Sequence, residues 1–498
     1  MKRVIFLLGV LTTILSTFST ALAYDFEVDG LYYDLISASK RTCAFTKGDK
    51  PYEGIVNIPD SVLVNGRYVR VVEVKGGTLN YSNLSELTIP GSVLEFVGDP
   101  MNCSIDKINI AYGEKALHAF VGGSSTFNRI HVKEMFIDRD ILAIEIENDD
   151  IEKITIGKNL IKFDAWIVSK SLQSVFIEDG PVPITGKYQT SISGPIKYAY
   201  IGRDGFTFYT GKIEHLIFGK NATKTGEYSN CGNLTTVEMN NIQVISERAF
   251  EGCKQLTNIN FPKTLKTIEA RSFRESGIKE LIIDCDLDNI GETAFSCCYQ
   301  LEKIQIKSVK NIKNYAFSSC YKVRSLILGE GLKCIRECAF SYNSSLKKLV
   351  LPNSLEEIGR EAFSDLCLDT IVISAPVPPE ICDDTFDPKT YLNCTLYVPT
   401  ESIDLYKEAY GWKGFWNIKG IDSFSSVKDD IVKNEDLISI LPTHRGLRVL
   451  NKDKNIIVRV FSIQGTLIKE TRDDEINNLP AGLYVVKVGN RSFKVSLR

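Results

Sequence analysis

LKKLVLPNSLEEIGREAFSDL, residues 346–366, is one complete unit of a pattern that recurs every 22 or 23 residues. Leu346, Leu349 and Leu351 open it as L-x-x-[apolar]-x-[apolar], and the last two alternate, so they point to one side of a short strand. Pro352-Asn353-Ser354 supplies a turn. From Ile358 to Phe363 the residues Arg360-Glu361-Ala362-Phe363 are compatible with a helix, and they predict one or two helical turns. Neighbouring copies begin at Leu234, Leu256, Ile278, Leu301, Val323 and Leu368. Each copy carries an isoleucine five residues before a phenylalanine: Ile245/Phe250, Ile268/Phe273, Ile290/Phe295, Ile312/Phe317, Ile335/Phe340, Ile358/Phe363 and Ile381/Phe386. Seven copies in one register leave little room for chance.

The same strand pattern runs upstream with looser spacing, from Leu84, Ile105, Val132, Ile151, Leu172, Ile196 and Ile213. About 14 turns are expected in all. None could fold by itself. Each ordered residue costs about 1–2 kcal/mol, and only about a third of them bury an apolar side chain that returns about 1.5–3. Stacking merges the separate clusters into one core and lets each strand pair with the next, giving a parallel sheet roughly 65 Å long. The fold class is therefore an α/β leucine-rich-repeat solenoid, β-rich, with short helices or turns on the convex side and a small C-terminal β-sandwich. The expected boundaries are 1–23 signal peptide, 24–83 N-terminal β cap, 84–390 solenoid, 391–421 C-terminal cap, 422–433 linker and 434–498 β-sandwich. In the C-terminal cap, Tyr406, Trp412, Phe415 and Trp416 are expected to cover the last turn.

Of the 498 residues, 44% are apolar and 24% charged, and the net charge is −3, a globular composition. No basic block suggests nucleic acid, and no later stretch is apolar enough to span a membrane. Lys2 and Arg3, the apolar run Val4 to Leu15, and Ala21-x-Ala23 read as a leader cleaved before Tyr24. The mature chain is thus expected to be exported through the periplasm and to be secreted or held at the outer cell surface.

The repeats, with their IGREAF-like and AFSSC-like runs, resemble the BspA-type leucine-rich repeats of bacterial surface proteins. DGLYYDLISASKRTCAF near the start and YVPTESIDLYKEAYGWKGFWNI near the end are similar to that family's opening and closing segments. The resemblance covers about residues 25–420. The tail, with VFSIQG at Val460 to Gly465, then Leu479-Pro480-Ala481-Gly482-Leu483-Tyr484, and Lys494 in the final strand, resembles the sorting domain of the type IX secretion pathway. These resemblances imply display or release outside the cell, adhesion, and recognition of host or neighbouring-cell proteins. They bring no catalytic residue with them.

Cys231, Cys253, Cys298 and Cys320 share one phase of the repeat, which predicts a column of packed thiols inside the coil rather than disulfides or a metal site. Only four histidines exist, His118, His131, His215 and His444, and none lies near a C-x-x-C. No G-x-S-x-G occurs, and the acid pairs Asp149-Asp150 and Asp383-Asp384 read as solvated edges. The expectation is no enzyme, no cofactor and no metal. Outward positions between the core residues form rungs that a partner can read; most are polar, for example Glu302 with Gln305, and Lys348. Phe136, Phe176, Tyr198 and Tyr200 differ, and they are the candidate ligand-binding residues; the alternative is that they simply pack across strands. A monomer that binds an extracellular protein is expected, with a glycan-binding accessory protein or a structural envelope component as alternatives.

Overall fold

The alternating apolar positions at the head of most repeats form strands that pair in parallel with a neighbouring repeat; the copy at Leu256 forms none. The computed structural model describes residues 24–96, 102–119, 130–147, 149–185, 191–206, 212–423, 439–443, 446–450, 456–488 and 491–497. The expected leader 1–23 and most of the expected linker 422–433 lie outside the described residues. The chain divides into two compact units, residues 1–210 and 211–498. Among the described residues, no helix is long and apolar enough to cross a membrane.

In the first unit, Glu53–Asn57, Asn83–Ile89, Cys103–Ile110, Ile130–Ile137, Lys153–Ile156, Ser174–Ile177 and Tyr198–Arg203 pair in parallel, in chain order. Their register stacks Leu87, Ile108, Met135, Ile154, Val175 and Ala199 in one buried column. A second parallel sheet stands behind, from Arg67–Val74 through Glu95–Phe96, Leu117–Ala119, Ile141–Glu147 and Phe163–Val168 to Ser191–Ser193. Each of these turns therefore returns through a strand, not through a helix. At the start, Phe26–Val28, Leu31–Ser37 and Thr42–Thr46 form an antiparallel meander. Asn65-Gly66, with φ of 49° and 77°, closes the hairpin of Ser61–Val64 and Arg67–Val74.

Two arginines lie inside this unit. Arg203 is 1% exposed and donates to three carbonyls, Gly157 at 2.8 Å and Lys158 and Val182 at 3.1 Å each, so it ties its own turn to the two before it. Arg139 is fully buried and donates to the Gly91 carbonyl at 3.0 Å. Burial, the dominant effect, lowers both guanidinium pKa values, Arg139 to about 10.

In the second unit the seven phenylalanines form a continuous stack. Adjacent rings from Phe250 through Phe273, Phe295, Phe317, Phe340 and Phe363 to Phe386 lie 5.0–5.5 Å apart, and all are buried. From Phe273 onward the planes differ by 3–10°. Both ends are closed by rings set edge-on. Tyr228 continues the stack and meets Phe218 at 70°, while Phe386 meets Tyr391 at 85° and Phe415 at 72°. Tyr406, Trp412 and Phe415 are buried in this C-terminal cover, and the Trp412 indole donates to the Pro379 carbonyl at 2.8 Å. Trp416 does not join them; it is 78% exposed.

The Ile-to-Phe segments are turns, which corrects the helical reading. Arg248, Arg271, Thr293, Tyr315, Cys338 and Glu361, each two residues before a phenylalanine, have φ between 50° and 57°, outside the right-handed helical region. A second left-handed residue follows two positions after the phenylalanine, as at Glu275, Cys297, Ser319, Tyr342 and Asp365. Their amides bond to the neighbouring turn, not within a helix. Thr293, Phe295 and Cys297 donate to the carbonyls of Asn314, Ala316 and Ser318, and the next turn repeats the pattern from Tyr315, Phe317 and Ser319. Three amides per turn thus donate to the next turn, at 2.7–3.1 Å.

The cysteine column sits beside this ladder. Cys253, Cys298 and Cys320 donate through Sγ to the carbonyls of Tyr228, Phe273 and Phe295 in the preceding turn, and Asn343 does the same to Phe317. All thirteen cysteines are free thiols, and burial pushes Cys231 up to about 11, which keeps it protonated and unreactive near neutrality. Gln305, expected among the exposed rungs, is buried instead, flanked in register by Ile282 and Ile327. Beyond the cap, Ser439–Thr443, Gly446–Leu450 and Glu475–Asn477 form one antiparallel sheet. Leu467–Thr471, Val458–Ser462, Gly482–Val488 and Arg491–Leu497 form another. Leu447, Val449, Val460, Ile476 and Val486 belong to their shared core.

Candidate recognition face

On the front sheet of the first unit, the L-x-x-L-x-L pattern leaves three outward positions per turn, and pairing aligns them into three rows. The first row contains Asp106 and Lys133, whose charges meet at 2.8 Å. The second runs Glu86, Lys107, Glu134, Lys153, Ser174, Tyr198. Its charges pair across strands, Lys107 with Glu86 at 3.7 Å and Lys153 with Glu134 at 3.2 Å. Such exposed pairs add little stability, but they leave the face nearly neutral. The third row runs Thr88, Asn109, Phe136, Thr155, Phe176, Tyr200.

All four candidate aromatics therefore stand on outward rungs, those of Phe176 and the two tyrosines on adjacent strands and that of Phe136 two strands from Phe176. Phe176 and Tyr200 stack at 4.4 Å with planes 12° apart. Phe136 is separated from Phe176 by Thr155, and Tyr198 stands beside Ser174, one position along. Phe176 is 41% and Tyr198 57% exposed, whereas Phe136 and Tyr200 are half-buried. The Tyr200 hydroxyl donates to Asp179 at 3.0 Å; burial and this bond push its pKa up to about 12, so it stays protonated. Asp179 escapes a reading of the strand pattern because it lies past the strand end.

The histidines take up ordinary surface partners: His131 pairs with Asp150 at 2.5 Å, and His215 meets the Thr236 hydroxyl at 2.7 Å. Among the described residues, no group of three or more His, Cys, Asp or Glu is arranged to hold a metal. Asp149 pairs with Lys170 in solvent, but Asp383 and Asp384, read as a solvated edge, line a cleft in the second unit.

Residues 185–302 and 268–393 match the family model for the BspA type leucine-rich repeat region, in six copies. Residues 185–393 carry BspA-type leucine-rich repeats. No curated protein matches the sequence. Among solved structures, a leucine-rich repeat protein from Bacteroides ovatus is 20% identical over 80% of this chain and 100% of its own, with a TM-score of 0.34. The pneumococcal vaccine antigen PcpA is 16% identical over 80% of this chain and 98% of its own, with a TM-score of 0.22. A leucine-rich cell surface protein from Faecalibacterium prausnitzii is 13% identical over 81% of this chain and 96% of its own, with a TM-score of 0.19.

Proposed function

We propose that this BspA-type repeat protein is exported to the outer cell surface and acts there as an adhesin-like, non-catalytic receptor for a protein of a host or neighbouring cell. The contact is the front sheet of the first unit, with Phe136, Phe176, Tyr198 and Tyr200 as its centre. The observation that carries this reading is the Phe176–Tyr200 stack, in the row next to one of internally paired charges. A rigid aromatic pair bordered by neutralised polar groups is the composition of an interface hot spot. The stack also favours protein over glycan. Sugars pack on ring faces, and here each ring covers a face of the other, leaving edges for apolar side chains.

The mature chain, displayed against arrays of cell-surface proteins and polysaccharides, tests the proposal. Tyr198→Ala with Tyr200→Ala is expected to weaken protein capture by tenfold or more, about 1.4 kcal/mol, with unchanged thermal unfolding. Retention by glycans alone would overturn the protein-receptor reading, and undiminished capture by the double variant would remove this face from it. For the tail, deletion of residues 434–498 is expected to leave the protein in the periplasm, and surface display of the truncated chain would end the sorting role.

A further inference from the structure

The turn side of the second unit carries a second aromatic surface, unrelated to the face discussed above. Tyr299, Tyr315, Tyr321 and Tyr342 come from three successive turns and are 39–50% exposed. Tyr299 and Tyr321 stand in line, 5.8 Å apart with planes 3° apart. Carboxylates accompany them: Glu275 is near Tyr299, Glu337 and Glu361 are near Tyr315, and Asp365 is near Tyr342. At about 4.8 Å per turn, this row extends about 10–15 Å along the coil.

Tyr342, beside Asp365, adjoins a cleft of about 620 Å³ that Asp365 also lines. Its floor includes Phe386, the last ring of the buried stack, and Tyr391. Five carboxylates line it, Glu361, Asp365, Asp383, Asp384 and Asp387, and among the described residues Lys413 is the one cation in the lining. Arg360 offsets Asp384 from outside at 2.9 Å, and Asp383 accepts a neutral bond from Tyr410 at 2.6 Å. The balance stays strongly negative. Burial first, and then the neighbouring Asp365, push the Asp387 carboxyl up, against the backbone amides of Asp365 and Leu366 and the Lys389 charge, which favour ionisation.

We propose that this tyrosine row and aromatic-floored cleft dock an extended, arginine- or lysine-rich segment of a partner protein, one cationic side chain entering the cleft and others lying against the tyrosines. Charge complementarity selects the occupant. A guanidinium or ammonium group gains attraction from the carboxylates and contact with aromatic rings, whereas an acidic or neutral segment gains neither.

Fluorescence anisotropy with the full mature chain tests this, using a fluorescein-labelled peptide alternating arginine with serine and a matched glutamate–serine peptide. Only the arginine peptide is expected to bind. Asp365→Asn with Asp387→Asn is expected to weaken it about tenfold, while Asp149→Asn with Asp150→Asn, remote acids in the first unit, leaves it unchanged. Lys413→Glu, which removes the opposing charge without touching the acids, is expected to tighten binding and covers the case in which the double variant does not fold. Absence of binding, equal loss from the remote pair, or no gain from Lys413→Glu would each overturn the proposal.

Discussion

Phe317→Ala is expected to destabilise the second unit by about 3–5 kcal/mol, the range for truncating a fully buried phenylalanine. The ring lies between Phe295 at 5.2 Å and Phe340 at 5.1 Å, both nearly parallel to it, so the loss includes two stacking contacts as well as burial. Its backbone compounds the effect. Phe317 donates its amide to Ala339 and accepts from Asn343, so a cavity here loosens both polar ladders that flank the ring. Because each turn touches only its neighbours, the break is expected to divide one cooperative unfolding transition into two. Urea unfolding followed by circular dichroism checks this. A variant that unfolds in a single transition at the parent midpoint would show that the stack is not what couples the turns.

Arg203→Ala is expected to cost at least about 1–3 kcal/mol in the first unit, because the buried Gly157 carbonyl loses its donor and the part-buried bonds to Lys158 and Val182 are lost with it. The nearby acids, Asp138 and Glu178, favour the charge, but the bonds to Gly157, Lys158 and Val182 all end on carbonyl oxygens. Lysine should not rescue it. The fork of the guanidinium reaches Gly157, Lys158 and Val182 at once, whereas an ammonium on a flexible stem matches that spacing poorly. The surrounding backbone is fitted to the side chain: a Cβ at Gly180 would lie 2.3 Å from Nη1. Limited proteolysis and urea unfolding of Arg203→Ala and Arg203→Lys give the measurement, and parental resistance in both would refute the bracing role.

The repeat itself was legible in the sequence because Ile and Phe recur at a fixed interval from Ile245 to Phe386, and core positions tolerate few residue types. What lies between them was not. Arg360-Glu361-Ala362-Phe363 has good helix formers, yet propensity is worth only tenths of a kcal/mol per residue, and amide bonds to the adjacent turn outweigh it. Glycine marks just one of these left-handed positions, Gly252; Thr293, Tyr315 and Cys338 hold φ above 50° because their neighbours fix them there. The rear sheet of the first unit escaped notice because strands such as Glu95–Phe96 and Leu117–Ala119 are too short to show alternation. The outward phase of Phe176 and Tyr200 follows from the strand pattern, but their mutual stacking and the bond to Asp179 depend on register between turns. The acidic cleft draws on residues from Glu361 to Gly414, and no local motif connects them.

The amides of each phenylalanine from Phe250 to Phe340, and of the residues two before and two after it, donate forward, which gives this edge of the second unit a direction. A turn that leaves the ribosome first presents donors whose acceptors have not yet been made, so each newly formed turn is complete only after its successor arrives. The acceptor for each such turn therefore lies on its carboxyl side, and past the last ring it is the segment around Trp412 that covers Phe386. A chain interrupted before that segment would leave the Phe386 ring without its cover.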